Sequence, residues 1–243
     1  MEKDPSNTWL SNNEKLIDIY LSSKDIILVE RNRMTNLLLD LFRYCFDSES
    51  GSIIMYLGCR DGSMILDFST RYPNNKFYLM DGSEEMLSKA KATLNGNNFT
   101  FIHQTFEDYI SSEGESSKYD MVFSSNAIHH LTLTGKSKIC NRIFRELATG
   151  GLFINIDVSL PPSERIENWE FRMWVDWINE TLVRNNLNDE IGKHDGLPKI
   201  YKDKPENKPD DLLEQLGLFR TIDFKNVECL YKYGIFAMFG GTK

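Results

Sequence analysis

Long apolar runs are missing from this chain. No stretch approaches the roughly 18 apolar residues of a membrane-spanning helix, and the opening residues, MEKDPSNTWLSNNEK, lack the apolar core of a signal peptide. A cytoplasmic protein with no membrane partner is expected. Cysteine is scarce: Cys45, Cys59, Cys140 and Cys229 are far apart, form no C-x-x-C pair and have no histidine at metal-ligand spacing. They read as reduced packing residues, and no metal site is expected. Blocks of basic residues are also missing. Lys and Arg number 28 against 36 Asp and Glu, a net charge of −8 that repels phosphate backbones, so no nucleic-acid partner is expected. No internal repeat or low-complexity tract is found, and the composition excludes disorder, collagen and coiled coil.

What remains is an ordinary globular composition, 41% hydrophobic and 26% charged over 243 residues, enough for one large domain or a domain with an insert. Apolar side chains at three- and four-residue spacing predict a helix over 24–46. The rhythm then changes to short apolar runs alternating with helical stretches. Strands are predicted at 52–57, 76–80, 99–103, 119–125 and 151–158. Helices are predicted from the Gly58 loop through Tyr72 and Pro73, from Ser83 to Leu94, and from Lys136 to Leu147. After Ser159 comes a long helical segment carrying Trp169, Phe171, Met173, Trp174 and Trp177. A helix at 210–219 and two strand-like runs, 221–230 and 232–239, follow. A short join around Tyr231 predicts a hairpin, so the last strand should run antiparallel to the others.

The fold expected is therefore α/β: a Rossmann-like, doubly wound, seven-stranded, mostly parallel sheet with N-terminal helices and a helical insert over the sheet edge. The chain reads as a single domain, 1–243. It divides into an N-terminal helical cap (1–50), a core (51–158), the insert (159–209) and a C-terminal helix with hairpin (210–243). In such a sheet ligands bind at the carboxyl ends of the strands. There the first strand ends in Gly58-Cys59-Arg60-Asp61-Gly62, which lacks the middle glycine of a dinucleotide fingerprint and argues against NAD. The second strand ends in Asp81, about 20 residues further on, where a carboxylate can accept both hydroxyl hydrogens of a ribose. A nucleoside-containing ligand is expected.

The ordered set of signals resembles the class I S-adenosylmethionine-dependent methyltransferases over residues 50–158 and, less sharply, 209–241. LGCRDG (57–62) looks like their first motif and LMDGSEEMLSKA (79–90) like the second. YDMVFSSNAIHHL (119–131) and RELATGGLFINID (145–157) look like the fourth strand and the approach to the fifth. The layout is similar to the small-molecule branch that includes the carboxy-S-adenosylmethionine synthases. The resemblance implies S-adenosylmethionine as cofactor, with Gly58, Cys59 and Gly62 against its methionine part and Asp81 on the ribose. It also puts Gly82 and Met86 beside the adenine, Thr105 and Phe106 at its edge, and Ser124 and Ser125 near the amino and carboxylate groups.

Two residues depart from that pattern: Tyr56 where the family has an acid, and Arg60 where it has the middle glycine. Tyr56 removes a carboxylate beside a sulfonium ligand, and Arg60 adds bulk and positive charge. Arg60 has two readings, directed to solvent or paired with Asp61 or a ligand carboxylate. His129 and His130 are the candidate catalytic residues, positioned to orient or deprotonate an acceptor; the competing reading has them cap the next helix or pack on the sheet. Asp157 reads as a base or as a local hydrogen-bond partner. Arg31 and Arg33 read as a lid over the cofactor carboxylate or as a solvated face. The tryptophan cluster reads as an acceptor pocket, an interface or sheet packing, and His103 and His194 carry no assignment. Two functional alternatives stand beside methyl transfer. One is a binding or regulatory module with a drifted first motif; the other is an enzyme that remodels the sulfonium cofactor or methylates RNA, the latter requiring a basic stripe.

Overall fold

The computed structural model describes residues 26–46, 51–114 and 118–243. The segment compared above with a signal peptide, the first part of the N-terminal cap and the expected start of the first helix lie outside the described residues. Among the described residues seven strands form one sheet: β1 (Ile53–Leu57), β2 (Lys76–Asp81), β3 (Phe99–His103), β4 (Tyr119–Ser125), β5 (Leu147–Val158), β6 (Lys225–Tyr233) and β7 (Phe236–Thr242). Their order across the sheet is β3-β2-β1-β4-β5-β7-β6. Neighbours pair in parallel from β3 to β5, while β7 pairs antiparallel with both β5 and β6, as the hairpin reading expected. The strand order reverses between β1 and β4, which is where an open sheet of this kind presents a crevice.

Helices cover both faces because successive strand residues point to opposite sides. On one face Ile54, Tyr56, Phe77, Leu79 and Phe123 pack under α1 (Arg31–Cys45), α2 (Ser63–Arg71), α3 (Glu84–Thr93) and α6 (Glu164–Arg184). On the other, Met55, Leu57, Val122, Phe153 and Phe239 pack under α4 (Phe106–Ser111), α5 (Leu133–Glu146) and α8 (Leu212–Ile222). A further helix, α7 (Leu197–Asp203), follows α6 in the insert and lays Leu197 and Tyr201 against the first face.

Several boundaries differ from the sequence expectation. Residues 26–27 are helical, and after a break at 28–30, where Glu30 takes a left-handed conformation at φ 52° and Leu28 and Val29 are buried in the core, α1 begins at Arg31. α2 stops at Arg71, short of Tyr72 and Pro73. α5 starts three residues before Lys136, where the Thr132 hydroxyl accepts from the Gly135 amide as an N-cap. β5 begins at Leu147 rather than 151. The expected strand at 221–230 is corrected to β6: α8 runs on to Ile222 and ends only at Asp223, whose left-handed backbone returns its amide to Phe219 and Arg220 carbonyls. The hairpin turns at Gly234 (φ 54°) rather than Tyr231, with Tyr233 facing Phe236 across it. The helix α4 was not expected at all.

The insert covers the β5–β7–β6 side of the sheet. Trp174 packs edge-on against Phe236 of β7 with ring centroids 5.7 Å apart, and its indole N–H donates to the Ile27 carbonyl at 2.8 Å. Trp174 thus buries on the sheet, whereas Trp169 is exposed.

Candidate active site

The carboxyl ends of β1, β2, β4 and β5 bring the expected residues together. The Gly58 and Cys59 amides both donate to the Met80 carbonyl, at 2.8 and 2.9 Å, which curls the loop after β1 over the end of β2. Gly58 sits at φ 70°, and a Cβ there would lie 2.5 Å from the Ala127 Cβ, so the loops after β1 and β4 approach each other as only glycine allows. The Phe106 ring lies 3.8 Å from that same point. Gly62, at φ 72°, precedes α2 as its N-cap, where a Cβ would meet Leu94 at 2.8 Å.

Asp81 is fixed by two amides: Arg60 N donates to Oδ2 at 2.8 Å and Ser83 N to Oδ1 at 2.9 Å. Each oxygen keeps a lone pair, so the carboxylate can still accept from the two hydroxyls of a ribose. Burial raises the pKa of its carboxyl, and the Ser83 and Arg60 amides, the Arg60 charge and His103 oppose the rise. Burial, followed by the charge of Asp81, keeps the Cys59 thiol protonated well above the usual range. Gly82 offers its carbonyl to His103 Nε2 at 3.2 Å, and Met86 donates its amide to the Ser83 hydroxyl at 3.3 Å. The Thr105 hydroxyl caps α4, accepting from Asp108 N at 3.1 Å and donating to Asp108 Oδ2 at 2.8 Å. That leaves Phe106 as the member of the pair that faces the loop. Ser124 donates to the Leu57 carbonyl at 3.0 Å and Ser125 accepts from the Asn126 side chain at 3.2 Å, so both hydroxyls brace the strand ends.

The two departures have structural consequences. Tyr56 is buried and stacks on Phe123, centroids 4.3 Å apart and planes 16° from parallel, so an apolar stack occupies the acid's position. Burial pushes its phenol pKa upward, with Arg60 opposing. Arg60 adopts φ 52° and reaches across the crevice, donating from Nη2 to the Asn126 carbonyl at 2.9 Å; Asn126 itself stands at φ 48°. Neither of the sequence readings for Arg60 describes this contact between loops. Arg31 donates to the Ser63 hydroxyl at 3.0 Å beside the loop, while Arg33 pairs with Glu30 at 2.8 Å on the surface.

Beyond this crevice, at the end of β5, lies a histidine and aspartate pair. His129 is buried; its Nδ1 is 2.5 Å from Asp157 Oδ1 and its amide donates to Asp157 Oδ2 at 2.9 Å. Burial alone would raise the Asp157 pKa, but the charge and hydrogen bonds of His129 outweigh it and hold the carboxyl below the usual range. His130 places Nδ1 3.1 Å from the Glu206 carbonyl, and burial together with neighbouring His129 lowers its pKa to about 3. The backbone of 206–210 crosses this pair. Lys208 N donates to the His129 carbonyl at 2.8 Å, and the buried Lys136 ammonium holds both the Lys208 carbonyl and the Asp210 carboxylate. Tyr201 stands 6.1 Å from His129, ring to ring, with its buried hydroxyl unpartnered among the described residues. Neither Tyr201 nor Asn126 was singled out from sequence; both gain meaning only when loops distant in sequence meet.

Comparison with known proteins finds similarity over this part of the fold. The family described as "Methyltransferase domain" matches residues 54–151. Over those residues the chain is similar to that family. An uncharacterized methyltransferase of Synechocystis sp. is 32% identical over 92 residues, 38% of this chain, and the match spans only 39% of that relative. An O-methyltransferase family protein from Burkholderia thailandensis superposes over 98% of this chain and 62% of its own, with TM-score 0.65 and 11% identity. Phosphoethanolamine N-methyltransferase 2 of Haemonchus contortus, solved in complex with S-adenosyl-L-methionine, covers 93% of this chain and 46% of its own, with TM-score 0.60 and 16% identity. The matched residues run from β1 to the start of β5. The insert and hairpin lie outside the matched residues.

Proposed function

We propose that this protein transfers the methyl group of S-adenosylmethionine to a small-molecule acceptor in the cytoplasm. The observation that carries the reading is the Asp81 carboxylate, fixed by two loop amides at the end of β2 beside a glycine that lets the β4 loop close in. Asp81 would hold the ribose, Met86 and Phe106 the adenine, and Gly58 with the strand ends at Ser124 and Ser125 the amino-acid part. When bound, the cofactor supplies a sulfonium carbon open to in-line attack, so positioning of the acceptor accounts for much of the acceleration.

His129 is the general base. An ionised Asp157 accepts only, so Nδ1 carries the hydrogen between them, and in the neutral ring Nε2 is the nitrogen whose lone pair can take the acceptor's proton. Tyr201, reaching in from the insert, supplies a hydroxyl to the acceptor. The net charge of −8 supports a small molecule over a nucleic acid, and among the described residues no helix is long and apolar enough to cross a membrane. The test is incubation with methyl-labelled S-adenosylmethionine and a metabolite library. Labelled product together with S-adenosylhomocysteine is expected. Cofactor binding without transfer to any acceptor would instead identify a regulatory module.

A further inference from the structure

We infer that Lys136 is a positioning residue for the proposed base: its buried ammonium ties the exit of the insert to His129 and balances the negative charge of Asp157. The inference goes a step past the assignment of His129 and rests on it.

A lysine at this place is disfavoured twice. Its side chain is only 2% exposed, so the charge has left water. It also stands in the first turn of α5, where its amide donates to the Thr132 carbonyl at 2.8 Å. Helical side chains lean toward the N-terminus, whose partial positive charge repels a cation. An apolar residue of the same length fills such a space without either cost, so packing alone does not account for the lysine.

The partners of the ammonium lead to the base. Lys136 Nζ donates to the Lys208 carbonyl and to the Asp210 carboxylate. The Lys208 amide, on the same residue, donates to the His129 carbonyl at 2.8 Å, so a single residue joins Lys136 to the backbone of His129. Asp210 is held in turn, its carbonyl accepting from Leu160 N at 3.3 Å and from Gln215 Nε2 at 3.1 Å. Leu160 follows Asp157 by three residues, which closes a ring of contacts through α5, the 208–210 segment and the end of β5.

The charge acts on the same pair. Asp157 takes three donors, His129 N, His129 Nδ1 and Val158 N. Burial works against its ionised form, while the His129 contacts, the Val158 amide and the Lys136 ammonium work for it. The other groups around the pair add little charge. His130, on the same turn, has its pKa lowered to about 3 by burial and by His129, and Arg60 acts on it in the same sense from the loop after β1. Tyr201 of α7 is kept a phenol by burial and by Asp157. Glu206 meets His130 through its carbonyl, and Lys208 meets His129 through its amide.

Without the ammonium, Asp157 and Asp210 lose the cation on α5 that offsets them, and the His129–Asp157 pair gains affinity for a proton. On Asp157 that proton turns the tautomer round: the carboxyl donates to Nδ1 and the ring hydrogen moves to Nε2. On His129 it occupies Nε2 directly. Either way the lone pair that would take the acceptor's proton is gone.

The experiment is an NMR pH titration of the full chain with isotope-labelled histidine ring nitrogens, the His129 signals being those lost in His129→Gln. Lys136→Met removes the charge and keeps the length, Lys136→Arg keeps the charge, and Asp210→Asn removes the acid that faces it. Lys136→Met is expected to move proton uptake by the pair up by about one pH unit, Lys136→Arg to stay with wild type, and Asp210→Asn to move it down. A lysine kept for packing alone predicts no shift in a folded variant, so equal midpoints in all four proteins overturn the inference. Should Lys136→Met not fold, Asp210→Asn decides: a downward shift supports the role and its absence overturns it. The readout needs no acceptor, which separates it from the methyl-transfer reading. Equal midpoints leave methyl transfer untouched, whereas labelled cofactor that yields no product with any acceptor removes methyl transfer and leaves Lys136 as the group that sets the proton on the pair.

Discussion

His129 gives both its backbone amide and its ring Nδ1 to a single carboxylate, Asp157, one to each oxygen, at 2.9 and 2.5 Å. The aspartate therefore sets the position of the residue and the tautomer of its ring together. Asp157→Asn keeps the size but offers an amide N–H where Nδ1 needs an acceptor. We expect kcat to fall by about 10²–10⁴-fold, with KM changed little, because the lesion lies in proton transfer. Steady-state kinetics on a variant with an unchanged thermal melt is the check, and an equal rise in KM at constant kcat would contradict the assignment.

His130 should make the protein acid-labile. Its folded pKa is lowered to about 3 by burial and by His129, whereas an unfolded histidine titrates near 6.5. Between those values the unfolded chain binds the proton and the folded one does not. Stability is therefore fully present above about pH 6.5 and falls with acidification toward 3, at up to about 1.4 kcal/mol per pH unit. His130→Asn removes the titrating group while retaining a donor toward the Glu206 carbonyl. Urea midpoints measured from pH 7.5 to 4.5 should flatten in the variant relative to wild type.

Tyr56 should resist replacement by the acid that the family resemblance leads one to expect at this position. The ring belongs to a layer in which Phe123 lies between it and Phe68, the second pair stacked at 6.2 Å. Tyr56→Asp deletes a buried ring and puts a carboxylate in its place, at a cost of about 3–5 kcal/mol. Tyr56→Phe keeps the stack and should stay within about 1 kcal/mol. Denaturant unfolding of both proteins distinguishes this from a tyrosine kept for its hydroxyl, which would reverse the order.

Gly58→Ala tests the close approach of the two loops. The added methyl faces Ala127 Cβ at 2.5 Å and the backbone sits at φ 70°, so strain of about 1–3 kcal/mol is expected. Titration calorimetry should show cofactor affinity falling with it. Gly150→Ala is the control, having the same kind of backbone at φ 79° and no atom within 4 Å of the new Cβ.

The sheet was legible because its strands are continuous apolar runs closed by Gly58, Asp81 or a serine pair, and parallel strands buried on both faces leave that trace. α4 escaped notice because six residues are too few for periodicity, although Thr105 followed by Asp108 carries the spacing of a cap and its amide. The β6 boundary slipped because residues 221–224 are apolar enough to suit either state, and the choice rests on the backbone of Asp223. In the site, Asp81 and the glycines stood out because one strand and one turn position each of them. The contact between Arg60 and Asn126 joins residues 66 apart in sequence, and that between His130 and Glu206 joins residues 76 apart. No spacing rule reaches so far.

Lys136 bears on how portable the insert is. This ammonium, buried to 2% exposure on α5, is satisfied among the described residues by the Lys208 carbonyl and the Asp210 carboxylate, both brought by the chain leaving the insert. A buried cation stripped of its partners is strongly destabilising. Chimeras that exchange the insert to change acceptor will therefore assemble only if the donor segment presents a carbonyl and an acid at that spot, or if position 136 is exchanged along with it.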